Sequence, residues 1–331
     1  MINKICVLGG GSFGVTLANV TADKGLKTTV WTIESDVAND INTNHQNSKY
    51  LGSIELSHNL NATTDFRQAI ADCTTLLWAI PTQAIRSVLT SHQDLLKKQH
   101  SHINVAKGIE VSSGKRISEI FSEFAVDEDH YCLLAGPSHA EEVSKKMATA
   151  MSAISRNYQF ALDVQSLFST EYLRIYTNTD LVGSEISGAF KNVVAIAAGV
   201  CDGFGLGDNA KAALITRSLV ELNKLCQAYG AQSGTIFGLT GIGDLIATCC
   251  SLHSRNRHVG NELGKGKSLE EILAAMHMVA EGVKTCEAFH AIAEKKRIEM
   301  PIVEATYAIM FKGIPVSDVI SELMTREYKD E

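Results

Sequence analysis

Three glycines near the amino terminus, Gly9, Gly11 and Gly14, have a spacing that suits phosphate binding. They follow a short apolar run at residues 4–8, which is typical of a buried parallel strand, and they precede a stretch with the apolar spacing of a helix. In such a junction the first glycine permits a tight turn, the second lets a pyrophosphate approach the backbone, and the third allows close packing. The phosphates would meet N–H groups at the helix start. This stretch predicts a dinucleotide site, with an ordinary strand–helix turn as the alternative.

An acidic residue lies where a dinucleotide fingerprint places one. A second strand is predicted at residues 28–32, and Glu34 follows it, about twenty residues after Gly14. A carboxylate at this point suits the two hydroxyls of an adenosine ribose and would repel a 2′-phosphate. Glu34 is therefore assigned to cofactor binding together with the three glycines.

Lys191 is an anomaly in the second half of the chain, because it lies in a predicted helix that is otherwise nearly free of charge. Lysine is rarely buried without a partner, and desolvation or a nearby cation lowers its pKa. A lysine perturbed in this way can exist as the neutral amine and accept a proton near neutral pH. The alternative is a lysine that extends its charged end to solvent from the edge of a helix.

A second chemical cluster is the basic run His253-Ser254-Arg255-Asn256-Arg257-His258, which follows shortly after Asp244. Guanidinium, hydroxyl and amide donors together suit a phosphate dianion. The alternative is a solvated basic loop. Residues 261–268 imitate a nucleotide-binding P-loop, but Asn261 replaces the first glycine and no strand precedes it. The sequence contains no HExxH pattern, glycine-flanked serine elbow or metal-ligand cluster, so no metal is predicted.

Length and composition exclude several classes of protein. The 331 residues suffice for two domains, and a net charge of −7 argues against a nucleic-acid binder. The eight cysteines lie in apolar segments without metal-type spacing, so we expect buried free thiols in a reducing compartment, with Cys249-Cys250 as a less favoured redox pair. The longest apolar run, residues 193–200, is too short to span a membrane, and no signal peptide is recognisable. We expect a soluble, intracellular protein.

Predicted strands alternate with helices up to about residue 180, which indicates an α/β fold with a Rossmann-type, doubly wound parallel sheet. From residue 181 no strand pattern is found, and helical periodicity is seen at residues 184–200, 211–229, 269–278, 284–296 and 302–312. We therefore predict a dinucleotide-binding domain at residues 1–180 and an all-α substrate-binding and catalytic domain at 181–331. Ligands collect at the carboxyl ends of parallel strands, so the glycine turn, Lys107 and residues 136–138 are expected to converge.

Several separated motifs resemble one family, the bacterial NAD(P)-dependent glycerol-3-phosphate dehydrogenases. The resemblance runs nearly from end to end and rests on these motifs: Val7-Leu8-Gly9-Gly10-Gly11-Ser12-Phe13-Gly14, Ala106-Lys107-Gly108-Ile109-Glu110, Ala135-Gly136-Pro137-Ser138-His139-Ala140, Gly188-Ala189-Phe190-Lys191-Asn192, Gly243-Asp244-Leu245-Ile246-Ala247-Thr248-Cys249, Ser254-Arg255-Asn256-Arg257 and Val279-Ala280-Glu281-Gly282. It implies reversible reduction of dihydroxyacetone phosphate to sn-glycerol 3-phosphate, the backbone of glycerophospholipids, by a cytoplasmic and usually dimeric enzyme that uses NAD or NADP.

The resemblance also implies roles for individual residues. Lys191 would be the proton acceptor in alcohol oxidation and the proton donor in ketone reduction, and Lys107 would lower its pKa. The phosphorylated triose would be held by Lys191 itself and by Lys107, Gly136, Ser138, Asp244, Ser254, Arg255 and Asn256. The cofactor would be contacted by Ser12, Phe13, Lys107, Ala140, Arg255, Val279 and Glu281, in addition to the glycines and Glu34.

This sequence departs from the family pattern at two positions. Phe13 stands where the family usually has tryptophan, which keeps an aromatic wall. Residues 32–34, Thr32-Ile33-Glu34, offer no cation where the family often places one for the adenosine 2′-phosphate. We therefore expect NADH to be used at least as well as NADPH.

Two other functions remain open on the sequence alone. A β-hydroxyacid dehydrogenase has the same architecture and also uses a lysine, but the phosphate-type cluster at residues 254–256 argues against it. A non-catalytic regulator that senses NAD(H) would need the glycine turn but not Lys191.

Overall fold

The computed structural model describes residues 4–276 and 278–327. The chain divides into two compact units. The sheet unit comprises Met1–Lys107 and Arg116–Glu185, and the helical unit comprises Gly108–Lys115 and Ile186–Glu331. The predicted boundary between folding domains at residue 180 stays a prediction. The assignment of Gly108–Lys115 to the helical unit was not anticipated from the sequence.

The sheet unit is built on eight strands in the order β3-β2-β1-β4-β5-β6-β7-β8. The strands are β1 Lys4–Leu8, β2 Lys27–Trp31, β3 Leu60–Thr63, β4 Thr75–Trp78, β5 Ser101–Asn104, β6 Tyr131–Ala135, β7 Thr149–Ile154 and β8 Leu173–Asn178. Neighbouring strands are parallel except β6 and β7, which are antiparallel. Six consecutive strands, from β3 to β6 in the sheet order, thus point their carboxyl ends to one edge.

The antiparallel pair has a geometric cause. Between β6 and β7 the chain forms a single short helix, α7 Ala140–Val143. Four helical residues rise only about 6 Å, whereas a five-residue strand is roughly 17 Å long, so α7 cannot carry the chain back across the sheet. Strand β7 therefore begins at the edge where β6 ends and runs in the opposite direction.

Helices cover both faces of the sheet. The remaining helices of this unit are α1 Ser12–Asp23, α2 Ser35–Asn44, α3 Ser48–Leu51, α4 Phe66–Ile70, α5 Thr82–His92, α6 Ile117–Glu123 and α8 Tyr158–Phe168. Successive side chains of β1 point to opposite faces of the sheet, so that Ile5 and Val7 lie in one buried core and Cys6 and Leu8 lie in another. Two cores on opposite faces define a doubly wound sheet, so the predicted fold class is confirmed.

The helical unit contains no strand among its described residues. Its helices are α9 Leu181–Phe204 (from Ile186 onward), α10 Gly207–Ala228, α11 Asp244–Cys250, α12 Arg255–Gly264, α13 Leu269–Ala274, α14 Glu281–Lys296, α15 Pro301–Phe311 and α16 Val316–Met324. By length and composition α9 could cross a membrane, but 94% of its apolar stretch is buried inside the protein. Such burial is typical of a core helix.

Glycines bring α9 and α12 into direct backbone contact. A Cβ on Gly199 would lie 2.1 Å from the carbonyl oxygen of Arg257, and one on Gly260 would lie 1.8 Å from that of Ile196. Any side chain at either position would force the helices apart. This contact fixes the amino-terminal turn of α12 against α9, the helix that carries Lys191.

Candidate active site

The glycine turn after β1 is shaped by contacts that exclude side chains. Gly9 has a φ of +128°, and a Cβ there would lie 2.4 Å from the carbonyl oxygen of Ala79. A Cβ on Gly14 would lie 2.3 Å from the carbonyl oxygen of Gly9. At Gly11, by contrast, no described atom comes within 4 Å of a built Cβ. The first and third glycines are needed for packing, and the second faces open space.

The turn fits a dinucleotide. Gly11 is the N-cap of α1 and provides no side-chain cap for the first N–H groups of the helix, which begins with Ser12 and Phe13. Backbone N–H groups and the helix dipole at such an uncapped start favour an anion. Phe13 is half-buried and packs against the adjacent core. Open space at Gly11 beside this start is the form a pyrophosphate requires.

Glu34 lies just beyond β2, as predicted, but it has a cation beside it. Its carboxylate accepts a hydrogen bond from the Tyr50 hydroxyl at 2.8 Å and forms an ion pair with Lys49. Residues 32–34 themselves offer no cation, as the sequence shows, but the fold brings Lys49 to Glu34. Residues 49 and 50 return to Glu34 because the chain reverses after α2.

A second group of predicted residues meets at the ends of β5 and β6. The Lys107 ammonium donates to the carbonyl oxygen of Gly136 at 3.0 Å, and the Ser138 hydroxyl donates to the same oxygen at 3.0 Å. Gly136 has a φ of +144°, which favours glycine. Ala140 begins α7 immediately afterwards. Within the sheet unit, Lys107, Gly136 and Ser138 are thus brought together as expected.

Lys191 is buried in the helical unit, with only 7% of the residue exposed. Its ammonium donates to Asp244 Oδ1 at 2.8 Å and to Thr248 Oγ1 at 2.8 Å. Asp244 and Thr248 lie one turn apart on α11, so a single helix face presents both oxygens to the lysine. The carboxylate stabilises the charged ammonium. Lys191 is thus a buried lysine and does not extend from a helix edge, and within the helical unit its ionic partner is an anion.

The basic run at residues 253–258 forms a connected set of hydrogen bonds. Asn256 donates to Asn192 Oδ1 at 2.9 Å and accepts from the Gly282 N–H at 2.9 Å, which joins α9, α12 and α14. Ser254 is buried as the N-cap of α12. Arg255 is exposed, and its guanidinium donates to the Val279 carbonyl at 3.0 Å. Asn256, the residue after Arg255, is therefore bonded to Asn192, the residue after Lys191. This bond ties the start of α12, which carries the exposed arginine, to the part of α9 that carries Lys191.

The predicted cofactor residues of the helical unit cluster around this arginine. Val279 is 54% exposed, and Glu281 is the first residue of α14, after the N-cap Ala280. Val279, Glu281 and Arg255 therefore lie close together in the helical unit.

Cys249 and Cys250 differ in exposure. Both are free thiols, with Cys249 buried and Cys250 exposed. Burial raises the pKa of Cys249 to about 12, so this thiol stays protonated at neutral pH. Its environment is that of a packed thiol and gives no support to a redox pair.

Three residues near these sites were missed in the sequence analysis: Lys49, Asn192 and Thr248. Thr248 could have been found, because it lies four residues after Asp244 in the half of the chain predicted to be helical, and residues at that spacing share a helix face. Asn192 follows Lys191 directly, and its contact with Asn256 depends on the packing of α9 against α12. Lys49 carried no signal, because it lies in a polar segment where a lysine is ordinary.

A doubly wound sheet with a dinucleotide turn, followed by a helical unit with a buried lysine and an anchored arginine, defines an NAD(P)-dependent dehydrogenase. Comparison with known families identifies it further. Residues 4–161 match the NAD-dependent glycerol-3-phosphate dehydrogenase N-terminus, and residues 180–321 match the C-terminus of the same family. The chain belongs to the NAD-dependent glycerol-3-phosphate dehydrogenase family.

Individual relatives agree along the whole chain. Glycerol-3-phosphate dehydrogenases (NAD(P)+) of Bacillus cereus strain G9842 and Bacillus thuringiensis strain Al Hakam are each 46% identical to it, over all of this chain and 98% of theirs. The crystal structure of glycerol-3-phosphate dehydrogenase from Coxiella burnetii superimposes with a TM-score of 0.94 at 33% identity, covering 98% of this chain and 99% of that one. The predicted family, enzyme class and cofactor class are confirmed.

Proposed function

We propose that this chain interconverts dihydroxyacetone phosphate and sn-glycerol 3-phosphate with Lys191 as the group that transfers the proton. Family membership supports the reaction, and the observation that supports the role of Lys191 is its buried ammonium, 2.8 Å from both Asp244 and Thr248. Asp244 orients the lysine nitrogen and favours its ammonium form, which is the proton donor in reduction of the ketone.

A nicotinamide cofactor, when bound, would supply a hydride in reduction and accept one in oxidation. In oxidation the C2–H bond of sn-glycerol 3-phosphate breaks with its electron pair, and the proton of the C2 hydroxyl passes to the neutral amine of Lys191 to leave the ketone. In reduction the Lys191 ammonium returns that proton to the C2 oxygen. Thr248 and Asp244 keep the lysine nitrogen at one position in both directions.

Arg255 is the proposed holder of the substrate phosphate. The Val279 carbonyl fixes the guanidinium at 3.0 Å, and an arginine fixed in this way is already oriented for a phosphate. We assign Ser254, the N-cap of α12, and Asn256 to the same substrate, together with Asp244, Lys107, Gly136 and Ser138. Charge-assisted bonds to the phosphate would distinguish a phosphorylated triose from an unphosphorylated one.

For the cofactor we propose binding at the glycine turn, together with the further residues that the family resemblance implies. The proposed residues are Gly9, Gly11, Ser12, Phe13, Gly14, Glu34, Lys107, Ala140, Arg255, Val279 and Glu281. Glu34 would accept hydrogen bonds from the ribose hydroxyls of NADH, which supports use of NADH at least as well as NADPH.

The cellular setting is also proposed from the family resemblance. We infer a homodimer in the cytoplasm that supplies sn-glycerol 3-phosphate as the backbone of glycerophospholipids, with folding domains at residues 1–180 and 181–331.

The function is tested by following NADH oxidation with dihydroxyacetone phosphate and, in parallel, with unphosphorylated dihydroxyacetone. We expect turnover of the phosphate, with kcat/KM for dihydroxyacetone lower by roughly a thousandfold, because a site built for a charged group discriminates strongly against its absence. Equal rates on both ketones, or turnover of an unphosphorylated hydroxy acid instead, would contradict the proposal. Binding of NADH without any turnover would point to the regulator.

A further inference from the structure

The segment at residues 47–50 is fixed to the proposed cofactor site at two points. Asn47 is fully buried, and its side-chain amide donates to the carbonyl oxygen of Gly10, inside the glycine turn, at 2.9 Å. Tyr50 donates its hydroxyl to Glu34 at 2.8 Å. Lys49, between these two anchors, is therefore positioned by the fold beside the end of β2.

Lys49 is an accessible cation in a group of acidic side chains. Its ammonium pairs with Glu34 and lies 3.6 Å from Asp36 Oδ2. The side chains of Lys49 and Glu34 are 44% and 29% exposed, so a ligand can reach both. The hydrogen bond that Lys49 donates to Glu34 raises the pKa of Lys49, and the side chain stays charged across the neutral range.

Glu34 retains acceptor capacity in this arrangement. A carboxylate offers about four lone-pair positions, and here one oxygen accepts from Lys49 and the other from Tyr50. Burial and the hydrogen bond to Glu34 raise the pKa of Tyr50, so its hydroxyl remains a donor. Each carboxylate oxygen can therefore still accept one ribose hydroxyl.

From this geometry we infer that Lys49 is the residue that determines whether the chain accepts NADPH, by pairing with the adenosine 2′-phosphate in place of Glu34. The inference rests on the proposed binding of the cofactor at the glycine turn. With NADH, Glu34 keeps Lys49 and accepts the ribose hydroxyls. With NADPH, the phosphate dianion takes Lys49 but meets the carboxylates of Glu34 and Asp36. The carboxylates thus set the preference for NADH, and the lysine sets how much NADPH is tolerated.

Two adenosine fragments test the inference without any turnover. Adenosine 2′,5′-bisphosphate carries the 2′-phosphate and 5′-AMP lacks it, and calorimetry gives a dissociation constant for each. We expect Lys49→Met to weaken the bisphosphate relative to AMP roughly tenfold, because an exposed charge-assisted contact is lost, and Lys49→Arg to restore the ratio. Glu34→Gln should shift the same ratio roughly tenfold toward the bisphosphate, because a like charge is removed.

Steady-state kinetics supply the second measurement. The ratio of kcat/KM for NADPH to that for NADH should fall roughly tenfold in Lys49→Met and rise in Glu34→Gln. Lys98→Met is the matched control, because Lys98 is an exposed lysine near the amino-terminal edge of the sheet. The role of Lys49 would be overturned if Lys49→Met changed the dissociation constants of both fragments by the same factor, or changed neither. Failure of both fragments to bind the unmodified chain would overturn the cofactor site itself. Loss of turnover with intact fragment binding would overturn only the proposed chemistry.

Discussion

Two lysine–carboxylate pairs, one in each unit, differ in almost every physical respect. Lys191 and Asp244 are buried, with side chains 9% and 3% exposed, whereas Lys49 and Glu34 are 44% and 29% exposed. The first pair joins the interior of α9 to the first residue of α11, and the second joins a four-residue helix to the N-cap of α2. The buried pair therefore keeps its two partners together, whereas a ligand can reach the exposed pair and replace one of its partners.

The difference shows what burial does to an ion pair. Two buried charges lose hydration that their attraction only partly restores, so such a pair contributes little to stability but holds its atoms firmly. An exposed pair contributes at most about 1 kcal/mol, and a charged ligand can replace one partner at little cost. A fixed pair suits proton transfer, and an exchangeable pair suits selection between two cofactors.

The largest expected effect follows from removing the buried cation. Lys191→Ala should lower kcat for dihydroxyacetone phosphate reduction by about a thousandfold or more, because general acid–base catalysis contributes roughly 10²–10⁴. NADH should still bind, with a dissociation constant within about twofold, because the proposed dinucleotide turn lies in the sheet unit. Single-turnover kinetics and NADH fluorescence titration measure the two quantities separately.

The stability of this variant needs its own control. Asp244 would be left as a buried carboxylate without its lysine, at a cost of about 3–5 kcal/mol. In the double variant Lys191→Met, Asp244→Asn both charges are removed, so folding should recover while turnover stays absent. Near-normal kcat in a folded single or double variant would remove Lys191 from the mechanism.

A smaller effect is expected at the exposed cation of the helical unit. Arg255→Ala should raise KM for dihydroxyacetone phosphate roughly a hundredfold with a lesser change in kcat, because a charge-assisted pair worth about 1.5–3 kcal/mol is lost. KM of the unmodified chain should also rise with ionic strength, since the contact is exposed. Steady-state kinetics at two salt concentrations measure both effects.

Lys265→Ala is the matched control for Arg255→Ala. Lys265 follows the other end of α12 and pairs with Glu262 at 2.8 Å on the surface. Its removal should leave KM unchanged within about twofold. A drop in kcat without a change in KM on removal of Arg255 would mean that this arginine does not hold the ground-state phosphate.

How far the fold could be predicted depended on local pattern. Strands β1 and β4 and helix α9 were recognisable because they are continuous apolar runs or show helical spacing. Strand β3 was missed because Leu60-Asn61-Ala62-Thr63 has only two apolar residues and lies at the sheet edge. The antiparallel pairing of β7 depended on the length of α7, which the sequence does not mark.

Prediction of the site residues also depended on local sequence pattern. Lys191 could be singled out because a charge in an apolar helix is unusual wherever it points. Lys49 could not be singled out, because its pairing with Glu34 depends on a reversal of the chain at His45. This residue adopts the left-handed conformation at the end of α2, with a φ of 50°. That reversal returns residues 47–50 to Glu34, and only tertiary structure reveals the pair.

The smallest expected effect concerns Glu221, a buried carboxylate. It accepts hydrogen bonds from backbone amides, whereas the buried Asp244 pairs with a lysine. Glu221 on α10 accepts from the backbone N–H of Ile302 at 2.6 Å and of Val303 at 3.4 Å, at the start of α15. Burial raises the pKa of Glu221 from its ordinary value of 4.5 to about 7, with Glu304 adding to the rise and Lys224 opposing it. The folded chain therefore holds a proton that the unfolded chain releases.

This difference sets the sign of a pH dependence. Between about pH 4.5 and 7 the unfolded state binds fewer protons at this residue, so the free energy of unfolding falls as pH rises and levels off above 7. Urea unfolding at pH 5, 6, 7 and 8 should show a decline of about 2–3 kcal/mol in the unmodified chain relative to Glu221→Gln, which cannot ionise. Glu304→Gln, at an exposed neighbour, should retain the decline. If the unmodified chain and Glu221→Gln lost stability in parallel across this range, Glu221 would be ionised throughout. The inferred effect of burial on the pKa of Glu221 would then be wrong.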